Sequence, residues 1–193
     1  MKRIKRILGE SLALHRDMLE DTHLTEIIDE IGRELVDAFT EGNKVLLCGN
    51  GGSAADAQHI AAELSGRFNL DRSPLYAEAL HVNTSYLTAV ANDYSYEEVF
   101  SRLVRACGRP GDVLIAISTS GNSANVLKAI EMATQMRMIT IGLTGGHGGR
   151  MLTMCKHVVR VPSSSTPRIQ EVHILVGQII CEIVEDSLFG TTS

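Results

Sequence analysis

Aromatic residues are scarce in this chain of 193 residues: it has no tryptophan, four tyrosines and four phenylalanines. Few rings means few platforms on which bases can stack, which argues against a single-stranded nucleic-acid role. An excess of positive charge is missing too. The formal net charge of -5 at pH 7 argues against a general nucleic-acid or anionic-membrane surface, while leaving room for a local anion pocket. No apolar run approaches the ~20 residues that span a bilayer. The segment Met1–Arg6 is basic, but Leu8–Leu19 carries Glu10, His15, Arg16 and Asp17 and is too polar for a signal-peptide core. The four cysteines (Cys48, Cys107, Cys155, Cys181) show no C-x-x-C spacing. Three lie in apolar surroundings, so buried free thiols in a reducing cytoplasm are expected.

What the chain does contain is a pair of strand-to-helix junctions made of small polar residues. The apolar run from Val113 ends in Ser118-Thr119-Ser120-Gly121-Asn122-Ser123, and a helical pattern follows. Such a junction offers free backbone N–H groups at the positive end of a helix dipole, and the hydroxyls of Ser118, Thr119, Ser120 and Ser123 add further donors. The stretch suits a phosphate; read alone, it equally suits a serine-rich turn that only caps a helix. It holds no lysine and does not match G-x-x-x-x-G-K-[ST], which disfavours a nucleoside triphosphate. The second junction joins the strand Lys44–Cys48 to Gly49-Asn50-Gly51-Gly52-Ser53 and a helix over 54–65. Its glycines allow close backbone approach to a ligand. The third glycine of a dinucleotide fingerprint is absent, with Ala55 near its place, so a nicotinamide cofactor is not expected. Within that helix His59 and Glu63 are four residues apart and share a face. They suit a divalent metal, a general base beside a substrate, or a plain solvent-facing pair.

Along the rest of the chain the apolar spacing predicts two amphipathic helices over 3–41, broken near Asp21-Thr22-His23, with Thr22 or Thr25 capping the second. Such a hairpin packs on a partner subunit or covers one face of the sheet. Further strands are expected at Ala77–Val82, Met138–Thr144 and His157–Val161, and helices at 83–90, 94–107, 123–136, 151–155 and 168–188. Asn92-Asp93 is read as a helix break. Gly145–Gly149 reads as a flexible loop, and the residues past Gly190 are expected to fray. Five strands alternating with helices predict an α/β, doubly wound five-stranded parallel sheet, flavodoxin-like, with helices on both faces and an N-terminal helical hairpin. Ligand is expected at the carboxyl ends of the strands, where both loops lie.

The segments Gly49-Asn50-Gly51-Gly52-Ser53, Asp56-Ala57-Gln58-His59 with Glu63, Ala91-Asn92-Asp93, Ser118–Ser123 and Arg168-Ile169-Gln170-Glu171-Val172-His173 together resemble the sugar isomerase (SIS) domain family, in its sedoheptulose-7-phosphate isomerase branch. The resemblance runs over nearly the whole chain and implies one SIS domain over 1–193. It implies conversion of sedoheptulose 7-phosphate to D-glycero-D-manno-heptose 7-phosphate, the first step of bacterial heptose synthesis, in a cytoplasmic homotetramer with intersubunit sites and bound zinc. By that resemblance Ser118, Thr119, Ser120 and Ser123 grip the phosphate, and Asn50, Gly51, Gly52, Ser53, Asn92 and Asp93 line the sugar. His59, Glu63, Gln170 and Gln178 stand at the metal-ligand positions, Gln170 also lines the substrate, and Glu63 is the base that moves the proton between C1 and C2. Asp56 is placed to orient His59.

One departure stands out. At 178, where the pattern has a histidine serving as ligand and acid catalyst, this chain has Gln178, an amide that does not titrate near neutral pH. His173 points ~140° away from Gln178 on the same helix, a poor replacement. Gln170 and Gln178 are separated by ~12 Å along the helix, which favours a site shared between subunits. The alternative that the departure raises is a non-catalytic SIS protein that binds the replication initiator DnaA.

Overall fold

The computed structural model describes residues 1–190, so the expectation for the last three residues lies outside the described residues. Five strands run parallel in the order β2-β1-β3-β4-β5: β1 Val45–Gly49, β2 Ala77–Ala79, β3 Val113–Ser118, β4 Ile139–Thr144 and β5 His157–Arg160. Every residue of β1 and β3 is buried, as continuous apolar strands covered on both faces must be. The register pairs Gly49 with Ile117, so the loops that follow β1 and β3 leave the sheet side by side.

The helices divide between the faces. On one, α2 (Thr22–Thr40), α3 (Gly52–Ser65) and α8 (Thr166–Phe189) bury Ile31, Leu35, Ile60, Leu64, Val176 and Ile180 against the sheet. On the other, α4 (Thr84–Asp93), α5 (Val99–Cys107), α6 (Ala124–Gln135) and the short α7 (Met151–Met154) enclose Phe100, Val104, Ile130 and Met151. A 3-10 turn at Tyr96–Glu98 joins α4 to α5. Because α3 lies on one face and α6 on the other, the chain reverses its winding between β1 and β3. That crevice is the switch point at which open α/β sheets take ligands.

The helical hairpin splits in role. α2 covers the sheet, whereas α1 (Lys2–Glu20) lies outside it, burying Leu14 and Met18 but leaving Ile4, Leu8, Leu12 and Leu19 more than 60% exposed. The cap between the two helices is neither threonine: Asp21 Oδ1 accepts from the Leu24 N–H at 3.0 Å, because Asp21 itself stands at the N-cap, from which a carboxylate reaches the third N–H of the helix. α4 runs through Asn92-Asp93 and breaks at Tyr94, and β2 stops at Ala79, where its pairing with the edge of β1 ends. α8 starts at Thr166 instead of 168, since Pro167 is well suited to a first helical turn.

All four cysteines are free. Cys48 and Cys181 are fully buried, while Cys107 and Cys155 are half-buried, one less enclosed thiol than their apolar neighbours suggested. Burial pushes Cys155 and Cys181 up to about 12, so neither supplies thiolate at neutral pH. Among the described residues no helix is long and apolar enough to cross a membrane.

Candidate active site

The loop after β3 is held open by its own residues. Ser118 Oγ lies 3.0 Å from Ser123 Oγ and 3.4 Å from Ser120 Oγ. Asn122 donates its amide to the Ser120 carbonyl at 3.0 Å and accepts from the Arg150 N–H at 3.0 Å. Gly121 has φ +66°, and a methyl group there would stand 1.9 Å from the Gly148 carbonyl oxygen, so only glycine permits this crossing of loops. Ser123 occupies the N-cap position of α6 yet its side chain caps no N–H; its hydroxyl turns to Ser118 instead. Between the two readings left open by the sequence, helix cap or anion cradle, this arrangement favours the cradle. A cavity of about 430 Å³ adjoins it, lined by Thr119, Ser120, His147, Ser163 and Thr166 among others.

Beside it, the loop after β1 turns through Gly51 (φ +57°) into α3, whose N-terminus also lacks a side-chain cap. Two helix N-termini whose N-cap residues bond no N–H of their own helix therefore meet at one crevice, although in the first turn of α6 the Asn125 side chain accepts from the Val126 N–H at 2.9 Å. Asn50 and Asn125 join the loops through two reciprocal amide hydrogen bonds of 2.9 and 2.8 Å, and the Tyr96 hydroxyl donates to Asn50 Oδ1 at 3.2 Å. Asn92 and Asp93 hydrogen-bond to each other at 2.9 Å, only three to four residues before Tyr96. Neither Asn125 nor Tyr96 was singled out by the sequence. The buried asparagine reads as an ordinary helix residue until the neighbouring loop is in place.

The position of α8 relative to α3 can be read from two close contacts. The Gln170 amide lies against Gly52, where an added methyl group would meet it at 2.4 Å, and Gly177 lies against Ile60 in the same way. The two helices therefore run parallel, with Gln170 at the crevice and Gln178, half-buried, near the level of Ile60. His59 and Glu63 lie further down α3, His59 exposed and Glu63 half-buried, with His59 Nε2 3.0 Å from Glu63 Oε1. Glu63 is eleven residues beyond Gly52, ~16 Å along the axis at ~1.5 Å per residue. One chain thus carries the expected site in two parts: Asn50, Gly51, Gly52, Ser53, Gln170 and Ser118–Ser123 at the crevice, and His59, Glu63 and Gln178 well down the α3–α8 pair. A helix leaving the carboxyl edge of the sheet carries its later turns away from it, so Glu63 stands well down α3 from the glycine loop of its own chain.

The end of α3 that holds Glu63 is rigidly tied. Arg72 donates to the Glu63 and Leu64 carbonyls at 2.8 and 2.9 Å, closing off helix-terminal acceptors. Arg72 is itself held by buried Glu185 at 3.0 Å. Burial would raise the Glu185 carboxyl, but the N–H groups of Leu70, Asn69 and Phe68 and the Arg72 guanidinium hold it below the usual range.

Asp56 is not bonded to His59. Its Oδ2 is buried without a hydrogen-bond partner, and that burial, only partly offset by His59, raises its pKa. His173 is also out of reach: it is fully buried, with Nε2 3.2 Å from the Thr144 carbonyl oxygen, and burial lowers its pKa to about 4. For zinc the fit is poor. The His59–Glu63 pair supplies one imidazole and one carboxylate already bonded to each other, no third His, Cys, Asp or Glu joins them among the described residues, and the remaining donors are neutral amides.

Comparison with known proteins places the chain. Residues 10–145 match the SIS domain model. Phosphoheptose isomerase 2 of Campylobacter jejuni is 52% identical over 97% of this chain and 93% of its own length, and the phosphoheptose isomerase of Aneurinibacillus thermoaerophilus is 48% identical over 96% and 94%. The solved structure of phosphoheptose isomerase GmhA from Neisseria gonorrhoeae superposes with a TM-score of 0.90 at 42% identity, covering 96% of this chain and 98% of that one. Two cradle-forming helix N-termini at the switch point of a five-stranded parallel sheet, together with these likenesses, show that the chain belongs to the SIS domain family, in its phosphoheptose isomerase branch.

Proposed function

We propose that the protein is an aldose–ketose isomerase that converts sedoheptulose 7-phosphate to D-glycero-D-manno-heptose 7-phosphate through an enediol, the entry step of heptose biosynthesis. The observation that carries the reading is the paired crevice: a serine-hydroxyl cradle without lysine beside a glycine loop, within a chain about half identical to phosphoheptose isomerases over nearly its whole length. The DnaA-binding alternative is not favoured by these likenesses.

In this reading Ser118, Thr119, Ser120 and Ser123 hold the phosphate, aided by the N-terminus of α6. Asn50, Gly51, Gly52, Ser53, Asn92, Asp93 and Gln170 line the sugar. Glu63 removes the C1 proton and returns it to C2, work that requires its carboxylate within ~3 Å of those carbons' hydrogens. Since Glu63 lies ~16 Å along α3 from the glycine loop of its own chain, the carboxylate is supplied to each crevice by another subunit. The exposed apolar stripe of α1 supports a homotetramer, and four free thiols support a cytoplasmic setting. Residues 1–193 act as one SIS domain. Gln178 is a hydrogen-bonding group here, not an acid. His59, already bonded to Glu63, stands beside the base as a second group for moving protons on the sugar oxygens. No step runs through zinc, for which His59, Glu63, Gln170 and Gln178 make a weak set.

The direct test is interconversion of the two heptose phosphates by the purified oligomer, with Glu63→Gln as control. Turnover is expected for the native chain, with a drop of at least ~100-fold in the variant at an unchanged melting temperature. An intact native oligomer that leaves sedoheptulose 7-phosphate untouched refutes the proposal.

A further inference from the structure

We propose that Asn125 is a positioning residue that, with Tyr96, decides which atom of Asn50 faces the bound sugar; the inference rests on the isomerase reading above. One amide of the pair has no alternative orientation. The backbone N–H of Val126 donates to the Asn125 side chain at 2.9 Å. A backbone N–H can only donate, so the atom it meets must be the carbonyl Oδ1. That leaves Asn125 Nδ2 to donate to Asn50 Oδ1 at 2.8 Å, while Asn50 Nδ2 donates back to Asn125 Oδ1 at 2.9 Å. Asn125 is buried to within 4% of full enclosure, where an unmade hydrogen bond is costly. Neither amide can therefore flip alone.

The inventory on Asn50 then closes. Its Oδ1 accepts from Asn125 and from the Tyr96 hydroxyl at 3.2 Å, using both lone pairs, and one of its two Nδ2 hydrogens goes to Asn125. What remains is a single N–H. Asn50 sits at the end of β1 between the glycine loop and the first turn of α6, so this N–H is the one thing its side chain can offer a ligand in the crevice. It can serve only an oxygen acceptor, such as the sugar carbonyl on which negative charge gathers as the enediolate forms. A donor held in place before that charge appears stabilises it without reorganisation. Flipped, the same side chain would present an oxygen to a developing anion.

The test is steady-state kinetics on Asn50→Ala, Asn125→Ala, the double variant, Asn125→Asp and Tyr96→Phe, each as an intact oligomer. Asn125→Ala is expected to lower kcat by about 100-fold with KM changed by less than about threefold, because the phosphate cradle is untouched. The double variant should be no slower than Asn50→Ala alone, as expected if one residue acts through the other. Asn125→Asp keeps an acceptor for Val126 but no donor for Asn50, so it should lose rate like the alanine variant even where the latter folds poorly. Tyr96→Phe should lose only about two- to fivefold. Multiplicative losses in the double variant, or an unchanged kcat in Asn125→Asp, overturn the inference. The orientation is also read without turnover, from the side-chain amide NMR signals of Asn50. One N–H should be protected from exchange in the native chain and lose that protection in Asn125→Ala; no difference between the two refutes the pairing. A native protein lacking turnover but showing that protection sinks the isomerase reading instead.

Discussion

The proposal that each site is shared between subunits rests on the length of one helix, and mixing subunits tests it. Within a chain, Gly52 and Glu63 lie eleven residues apart on α3, ~16 Å along its axis, and a general base must come within ~3 Å of the proton it removes. That axial separation favours a base supplied to each phosphate cradle by a neighbouring chain. Two inactive variants separate the two halves of the site. Ser120→Asp sets a negative charge where the phosphate binds, on an exposed side chain that tolerates it, and like charges so placed cost several kcal/mol. Glu63→Gln removes the base. Each homo-oligomer should be at least ~100-fold impaired. When the two are dissociated, mixed in equal amounts and reassembled, a site pairing an intact serine loop with an intact Glu63 from another chain forms at random in about one case in four in a symmetric assembly. Isomerase activity of the mixture should therefore rise to about a quarter of the native value. Activity that stays at the level of the parents after verified subunit exchange would show that each chain carries a complete site, and the reasoning from helix length would fail.

Metal dependence should be weak: treatment with chelator is expected to leave native turnover unchanged, and Gln178→His should raise zinc affinity about tenfold or more by adding an imidazole. Native protein that keeps one zinc per chain through dialysis would refute this account of the donor set. Asp56, whose pKa is raised by burial, acts on stability with a definite sign. With a folded pKa above the unfolded one, its contribution becomes unfavourable as pH rises through that window. Asp56→Asn should accordingly melt slightly higher than the native chain at pH 7, by about 1–3 °C. The gap should close below about pH 4; an equal gap at both pH values contradicts the assignment.

How much of this was legible beforehand depends on which interactions are local. Strands β1 and β3, the two loops and the helices after them are written in runs of neighbouring residues: apolar stretches that end in glycine or serine and then shift to helical spacing. The resemblance to the SIS family rests on those same short segments, and the comparisons bear it out. Caps and breaks were less legible. Asp21 and Thr22 both suit an N-cap, and only the geometry of the turn chose Asp21.

Residue types and spacing determined, without coordinates, the parallel sheet, the phosphate-suited loop and the His59–Glu63 pair, because each is set by periodicity or by chemistry within a few residues. Tertiary structure alone decided that Asn125 pairs with Asn50 across 75 positions, that His173 is spent in the core, and that Gln170 is set against Gly52. Those outcomes depend on where α3, α6 and α8 pack on the sheet, and packing brings together atoms whose distance along the chain says nothing of their distance in space.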